Sequence, residues 1–491
     1  MKYLIGFDSG TSSIKGTLIE AKTGKVVADC TSPQKELAVL SPHPGWAEQD
    51  PKVWWKHFCI VARTLLKKVK TADVAGIGIS YQMHGLVLVD DALKPVRPSI
   101  IWCDGRTQAI GDAAAKKLGP PLLKKALNYP GNFTASKIAW VKKTEPKVYA
   151  KATKAMLPGD YLAAMLTGEI CTTPSGLSEG ILWNFQKQDL LEPVLKHYGI
   201  RRSLLPDVKP TFSIQGCVTA AAAKLTGFAK GTPVSYRGGD QPNNALSLGV
   251  MKPGEIAATA GTSGVIYAVT DKAIPDKQSR VNVFVHVNNA PGRMRNGVLG
   301  CVSGTGALYR WLRDLSGDDY AKMNKLSAGV EPGADGLTII PYGNGPERVQ
   351  CSRNTGMSMH FVDLNRHSKA HVMRAAQEGI VFALKQCTEV MAGMGVKVKK
   401  VRAGRANMFL SDLFGSIFAS MIGAKVELMS TDGSQGAARG AGIGAGVYKK
   451  AGDAFVGLRP VKTISPDPKL KKTYAALYPK WIETLKTTLD S

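Results

Sequence analysis

An aspartate lies beside a glycine-containing turn near the start of the sequence. The stretch GFDSGTSSIKG brings together one carboxylate, two hydroxyl groups and one amine around this turn: Asp8, Gly10, Thr11, Ser12 and Lys15. A glycine-containing hairpin offers backbone N–H groups and hydroxyls to phosphate oxygens. A carboxylate at its edge can hold the water shell of Mg²⁺. The alternative interpretation of Asp8 is a turn residue that satisfies its own backbone.

A second candidate carboxylate follows a pair of glycines in YRGGDQPNNALSLG. Asp240 comes directly after Gly239, and Pro242 lies just inside the helix that this pattern predicts. By local rules Asp240 is the N-cap of that helix. The functional interpretation is an aspartate exposed in a cleft, where it accepts a hydrogen bond from a substrate hydroxyl.

Three further segments have residue types suited to binding. In SYQMHGLVL, Met83 and His84 follow a predicted strand, and the imidazole can hydrogen-bond a polyol, although a lone histidine is usually a surface or satisfied residue. SGTGALYRWLRD places Gly304 and Gly306 at a helix start, which suits close contact with a nucleotide. DGSQGAARGAGIGAG predicts a helix of small residues, whose ordinary role is tight packing.

The elements around these residues alternate between strands and helices. YLIGFDS, IKGTLIEA and KVVADCTS predict three successive strands, with apolar side chains on one face of the first. An amphipathic helix is predicted after Asp50-Pro51, and VAGIGIS predicts a further strand. This alternation favours a mixed α/β fold.

The hairpin pattern recurs in the middle of the chain. In IAATAGTSGVIYAVTDK, Gly261-Thr262-Ser263 again joins two apolar strands, and Thr259 stands where the first copy has Asp8. We therefore expect two similar domains, residues 1–245 and 246–491, whose hairpins face a shared cleft. An acid kept in one copy indicates a metal or phosphate function there.

The composition argues against several classes of protein and site. The chain has 491 residues and a formal charge of +26, but Lys and Arg are spread along its length without interleaved aromatic residues, so a nucleic-acid partner is not expected. The eight cysteines form no CxxC pair, which argues against a zinc site. No signal peptide or membrane span is predicted, and we expect a cytoplasmic protein.

Nine segments in order resemble the FGGY carbohydrate kinases, and they cover nearly the whole chain. They are GFDSGTSSIKG, HPGWAEQDPKVWW, GISYQMHG, IIWCDGRT, LPGDYL, GGDQ, AGTSGV, WLRD and EGIVFAL. The resemblance implies two actin-like (ribonuclease-H-like) ATPase domains around a central cleft. The acceptor would bind on the N-terminal domain and ATP mostly on the C-terminal one. The implied reaction is ATP-dependent phosphorylation of a ketopentose, D-xylulose, with ribulose, rhamnulose, gluconate or glycerol as alternative acceptors.

The resemblance also implies roles for individual residues. Asp240 would be the catalytic base and Asp8 the acid that organises Mg²⁺. The implied sugar contacts are Met83, His84, Asp240 and Gln241. The implied ATP contacts are Thr11, Ser12, Lys15, Thr262, Gly306, Gly404 and Asn407. The expected partners are the sugar and ATP, with a homodimer as a further option and no nucleic acid or membrane.

The sequence departs from the family in its adenine loop. The Gly-Gly-Gly-Ala loop of the family appears here as RAGRAN, so Gly404 and Asn407 alone carry over, and Arg405 could stack on adenine or face solvent. Two functions of other classes stay open at this point. One is a non-enzymatic actin-like ATPase, and the other is a nucleic-acid binder, which rests on charge alone.

Overall fold

The computed structural model describes residues 1–345 and 347–490, and each half of this chain contains one large mixed β-sheet. The strands of the first half are β1 (Tyr3–Ser9), β2 (Ile14–Glu20), β3 (Val26–Ser32), β4 (Glu48–Gln49), β5 (Val74–Tyr81), β6 (Val87–Val89), β7 (Ser99–Ile100), β8 (Lys154–Met156), β9 (Cys171–Thr172), β10 (Trp183–Asn184), β11 (Asp189–Leu190), β12 (Asp207–Val208), β13 (Phe212–Cys217) and β14 (Pro233–Gly239). The strands of the second half are β15 (Glu255–Ala260), β16 (Gly264–Thr270), β17 (Asn282–Val285), β18 (Asn296–Val302), β19 (Thr338–Ile340), β20 (Ser358–His360), β21 (Lys400–Gly404), β22 (Val426–Met429) and β23 (Pro460–Ile464).

The helices pack on both faces of these sheets. In the first half they are α1 (Pro51–Leu66), α2 (Gln108–Ala126), α3 (Thr134–Thr144), α4 (Pro146–Lys151), α5 (Pro158–Thr167), α6 (Pro174–Glu179), α7 (Glu192–Tyr198), α8 (Ala220–Thr226) and α9 (Asp240–Ser247). In the second half they are α10 (Thr305–Ser316), α11 (Tyr320–Ala328), α12 (Lys369–Gly393), α13 (Asp412–Ile422), α14 (Gly433–Gly444) and α15 (Pro468–Asp490).

The two large sheets repeat one topology. The first has the strand order β13-β14-β5-β1-β2-β3, and the second has the order β17-β18-β16-β15-β21-β22-β23. In each sheet an antiparallel hairpin, β1–β2 or β15–β16, is followed by two parallel strands and then an antiparallel edge strand. The predicted strand–turn–strand units are confirmed, and they occupy equivalent places in the two sheets.

The proposed division of the chain into residues 1–245 and 246–491 stays a prediction. Its boundary falls within α9, the helix that follows the last strand of the first sheet.

Strand β1 is covered on both faces, although its sequence pattern indicated apolar side chains on one face only. Phe7 stacks on Phe58 of α1 with ring centroids 3.9 Å apart. On the other face, Leu4 lies in a cluster with Ala438 of α14. The strand is therefore buried like the strands of a parallel sheet, which are covered by helices on both sides.

Helix α1 forms where its sequence predicts. The Asp50 side chain accepts a hydrogen bond from the Lys52 N–H at 2.9 Å, and Pro51 occupies the first helical position, where its missing N–H costs nothing. Trp54, Phe58 and other apolar residues at helical spacing are buried against the sheet.

Helix α14 belongs to the second half of the chain but packs on the first sheet. A methyl group at Gly6 would lie 1.9 Å from the Ser434 carbonyl oxygen, and one at Gly78 would lie 2.0 Å from the Ala437 carbonyl oxygen. Backbone thus meets backbone, which requires small residues on both surfaces. The predicted packing role of this small-residue helix is confirmed, and the contact joins the two halves.

Among the residues that the structure describes, the helices are all too short or too polar to cross a membrane.

Replacing Gly78 by alanine is expected to lower the thermal denaturation midpoint. The added methyl group overlaps the backbone of α14, and overpacking of this kind costs about 1–3 kcal/mol. Gly393→Ala is the matched control, since no atom lies within 4 Å of its added methyl group. Equal midpoints for the two variants, measured by calorimetry, would contradict this account of how α14 is seated.

Candidate active site

Asp8 and Lys15 face each other across the first hairpin. They are paired residues of β1 and β2, so Asp8 is a strand residue and its interpretation as a turn residue is wrong. Lys15 Nζ donates to Asp432 Oδ2 at 2.8 Å, and Asp432 is the N-cap of α14. Lys15, which was expected to contact a phosphate, therefore forms an ion pair with Asp432 in the other half of the chain.

The Asp8 carboxylate is pressed against the start of α14. A methyl group at Gly433 would lie 2.3 Å from Asp8 Oδ2. Oδ1 is buried and has no hydrogen-bond partner among the described residues. Burial raises the pKa of Asp8, the Ser80 hydroxyl opposes this, and the negative charge of Asp432 raises the pKa further.

Asp240 is the first residue of α9, and its N-cap is Gly239, so the prediction that Asp240 caps the helix is wrong. Strand β14 ends at Gly239, which is paired with Tyr81 at the end of the parallel strand β5. The carboxyl ends of neighbouring parallel strands thus bring Asp240 beside the loop that follows β5. Burial, together with the charge of Asp8, raises the pKa of Asp240 to about 7, although N–H groups of Gln241 oppose the shift.

The loop after β5 holds His84 in a left-handed backbone conformation, with φ of 63°. This conformation is uncommon outside glycine and often marks functional sites. His84 Nδ1 lies 2.9 Å from the Glu179 carbonyl oxygen, and Lys137 Nζ donates to the His84 carbonyl at 2.8 Å. Because a carbonyl can only accept, Nδ1 must carry the proton, which leaves Nε2 as an acceptor. Burial lowers the pKa of His84 to about 3, so the ring is neutral.

The same loop is tied to the turn of the first hairpin. Thr11 Oγ1 donates to Gln82 Oε1 at 3.3 Å, and Trp102 Nε1 donates to Thr11 Oγ1 at 2.9 Å. Gln82 Nε2 in turn donates to Gln49 Oε1 at 3.0 Å. Thr11 thus links the turn of the first hairpin to the loop after β5, whereas Ser12 is exposed at the turn.

A pocket of about 290 Å³ lies at the second hairpin. Its lining residues are Ala260, Gly261, Thr262, Gly306, Tyr309, Arg310, Tyr320, Asn324, Asn407, Met408, Leu410 and Ser411. The Gly306 N–H donates to the Gly261 carbonyl at 2.8 Å, so the start of α10 is fixed to the hairpin turn. Thr262, Gly306 and Asn407 are therefore brought together, while Gly404 and the exposed Arg405 lie outside this lining.

Asp432 and Glu179 lie beside the candidate site residues of the first half, but they were not identified from the sequence. Asp432 has a recognisable local signal, since it precedes a helix and accepts a hydrogen bond from the Gln435 N–H at 3.0 Å. Its ion pair with Lys15 spans 417 residues and has no local signal. Glu179 likewise lies 95 residues from His84 in the sequence, although its carbonyl oxygen is 2.9 Å from the His84 ring.

The doubled sheet, with a carboxylate site in one half and a pocket in the other, is the actin-like, ribonuclease-H-like ATPase architecture. Family models agree with this class. The N-terminal domain of the FGGY family of carbohydrate kinases matches residues 3–247, and the C-terminal domain of that family matches residues 256–448. The chain belongs to the FGGY family of carbohydrate kinases.

Three relatives illustrate the similarity. The xylulose kinase of Lactococcus lactis is 30% identical over 100% of this chain and 98% of its own length. The crystal structure of xylulose kinase from Rhodospirillum rubrum is 28% identical and covers 99% of both chains with a TM-score of 0.88. A gluconate kinase structure from Lactobacillus acidophilus, 22% identical over 100% of this chain and 99% of its own, shares the fold with a TM-score of 0.90.

We expect the kcat/KM for the sugar acceptor to fall as the pH drops below about 7. Asp240 accepts a proton only when ionised, and burial with the nearby Asp8 charge raises its pKa to about 7. The ionised fraction therefore rises with pH through this value and falls about tenfold per pH unit below it. Initial rates under subsaturating sugar, with enzyme re-assayed at neutral pH to exclude denaturation, provide the test. A flat profile down to about pH 5 would contradict the role of this carboxylate.

Proposed function

We propose that this protein transfers the γ-phosphoryl group of ATP to a primary hydroxyl of D-xylulose, giving D-xylulose 5-phosphate and ADP. The observation that carries the proposal is the placement of Asp240. This half-buried carboxylate, with its raised pKa, stands beside Asp8 and next to the loop of Met83 and His84. The named xylulose kinases among its relatives support the choice of sugar.

Asp240 orients the acceptor hydroxyl and takes its proton. Phosphoryl transfer gains mostly from positioning, and the raised pKa also makes Asp240 a better proton acceptor near neutral pH. His84 Nε2 accepts a hydrogen bond from another sugar hydroxyl, because its Nδ1 is held by the Glu179 carbonyl. Met83 provides an apolar wall, and Gln241 adds N–H donors at the start of α9.

The first hairpin fits a divalent cation. Asp8 Oδ1 is buried without a partner among the described residues, and the charge of Asp8 raises the pKa of Asp240. Mg²⁺ usually keeps several waters and is held by one or two carboxylates together with substrate phosphates, so Asp8 would be enough to hold its water shell. Bound at Asp8, Mg²⁺ would neutralise charge on the phosphates of ATP.

The phosphates of ATP are proposed to lie between the hairpins. Thr11, Ser12 and Lys15 would contact them from the first half, and Thr262 with Gly306 from the second. Lys15 is already oriented by Asp432 at 2.8 Å, so it needs little reordering to stay near Asp8. The adenosine part would occupy the pocket of about 290 Å³, with Asn407 in its lining and Gly404 at its edge.

The proposed compartment of the protein is the cytoplasm, and its assembly into a homodimer stays a prediction.

Asp240→Asn is expected to lower kcat for D-xylulose about 100-fold or more, because the amide cannot accept the proton. ATP binding, measured by calorimetry, should be unchanged. Asp207→Asn, at an exposed position of β12, is the matched control. Near-normal turnover of Asp240→Asn would exclude the catalytic role.

A sugar panel tests the acceptor. D-xylulose should give the highest kcat/KM among xylulose, ribulose, rhamnulose, gluconate and glycerol in an assay of ADP release. A higher value for another compound would replace D-xylulose as the substrate and leave the catalytic role of Asp240 in place.

Leu410→Trp should raise the KM for ATP at least about tenfold, because the larger ring fills the pocket that Leu410 lines. The KM for the sugar should not change. Leu364→Trp is the control, since Leu364 is 91% exposed and lies outside that lining. An unchanged KM for ATP would mean that the nucleotide binds elsewhere.

A further inference from the structure

Glu179 is a buried carboxylate beside the proposed sugar contacts Met83 and His84. It ends α6, which begins after the N-cap Thr173, and it is 1% exposed. Its backbone carbonyl accepts the hydrogen bond that fixes the His84 ring, at 2.9 Å. Glu179 therefore belongs to the same local structure as the proposed sugar contacts.

The Glu179 side chain points to the junction between β14 and α9. A methyl group at Gly239 would lie 2.6 Å from Glu179 Oε2 and 2.6 Å from Met83 Cγ. Gly239 directly precedes Asp240. The carboxyl, the methionine and the backbone that carries the proposed base thus meet at one place, and a glycine there leaves room for them.

The protein compensates this carboxyl only in part, through the Tyr81 hydroxyl. Glu179 Oε1 is buried without a hydrogen-bond partner, and Glu179 forms no ion pair among the residues that the structure describes. The neighbouring cations have other partners: Arg237 lies 3.3 Å from Asp160, and Lys137 donates to the Ile101 carbonyl at 2.9 Å. A buried carboxyl that lacks a cation and has one oxygen without a partner is destabilising, so its presence requires an explanation outside packing.

The surroundings of Glu179 select its protonation state. Burial raises its pKa well above the usual range, the Tyr81 hydroxyl opposes this, and the charges of Asp240 and Asp160 add to the rise. A neutral carboxylic acid donates one hydrogen bond and accepts another. A hydroxyl group has the complementary capacity, whereas a sugar carboxylate would meet the acidic residues Glu179 and Asp240 at this site.

We propose that the Glu179 carboxyl binds a second hydroxyl of the neutral sugar acceptor, while Asp240 binds the hydroxyl that is phosphorylated. The inference rests on the proposed sugar kinase function and makes Glu179 a specificity-determining residue. It explains the orphaned Oε1 by a ligand hydroxyl and favours an uncharged ketose over a sugar acid.

The test compares the wild type with Glu179→Met, which keeps the length of the side chain and removes its polar atoms. The KM for D-xylulose should rise about tenfold, with an unchanged KM for ATP. The thermal denaturation midpoint should stay equal or rise, because a buried unpaired carboxyl is removed. Glu179→Gln should recover most of the sugar affinity, because the amide can still donate and accept. Glu192→Met is the matched control, since Glu192 is exposed on α7.

Monodeoxy analogues of the sugar identify the contact. For the analogue that lacks the hydroxyl bound by Glu179, wild type and Glu179→Met should have the same KM. A loss of equal size for every analogue would overturn the direct contact.

The remaining outcomes separate the inference from the proposed function. An active enzyme whose sugar KM is unchanged in Glu179→Met overturns the role of Glu179 and leaves the function intact. A lower denaturation midpoint with equal changes in both KM values would show a structural role instead and also overturn it. If the wild type prefers another sugar, the assignment of D-xylulose as the substrate is wrong. The KM values of wild type and Glu179→Met for the preferred sugar then decide whether Glu179 binds it. A wild type that neither phosphorylates nor binds any sugar overturns both.

Discussion

The seating of α14 on the first sheet is the constraint on which the rest of the structure depends. The helix lies so close to β1 and β5 that its backbone touches theirs at Gly6 and Gly78. This approach brings the N-terminus of α14 to the first hairpin, where Asp432 meets Lys15 and Gly433 meets the Asp8 carboxylate. The hydrogen bond from Asn243 Nδ2 to the Gly433 carbonyl, at 2.8 Å, adds α9 to the same junction. One helix thus positions both carboxylates of the site.

The acceptor site concentrates acidic groups with little compensation from the protein. The charge of Asp432 raises the pKa of Asp8, the charge of Asp8 raises the pKa of Asp240, and Glu179 is buried without a cation. Such an arrangement lowers stability in the free protein, and ligands that supply positive charge and hydroxyl groups relieve it. The left-handed conformation of His84 is a further local cost. These features are expected where binding, and not folding, determines the choice of residue.

Local patterns were enough to predict these elements, but they did not show which distant residues meet in the site. Alternating apolar residues and the repeated Gly-Thr-Ser turn predicted both hairpins, and Asp50-Pro51 predicted the start of α1, because these signals act within a few residues. The proposed residues Asp8, Asp240 and His84 could also be identified from their segments. The sequence did not show that β1 is covered on both faces, or that Lys15 pairs with Asp432, since such contacts depend on the tertiary arrangement. Glu179 was missed for the same reason: nothing in PSGLSE distinguishes a buried carboxylate from a solvated one.

The position of α14 also has a consequence for biosynthesis. The first hairpin of this sheet is made early, but the helix that covers one face of the sheet is translated more than four hundred residues after that hairpin, as the separation of 417 residues between Lys15 and Asp432 indicates. Until α14 emerges from the ribosome, the strand surface around Gly6 and Gly78 has no cover from this helix. Contacts of such long range close slowly and leave apolar surface accessible to aggregation. The nascent chain should therefore depend on chaperones until the last tenth or so of its length is made.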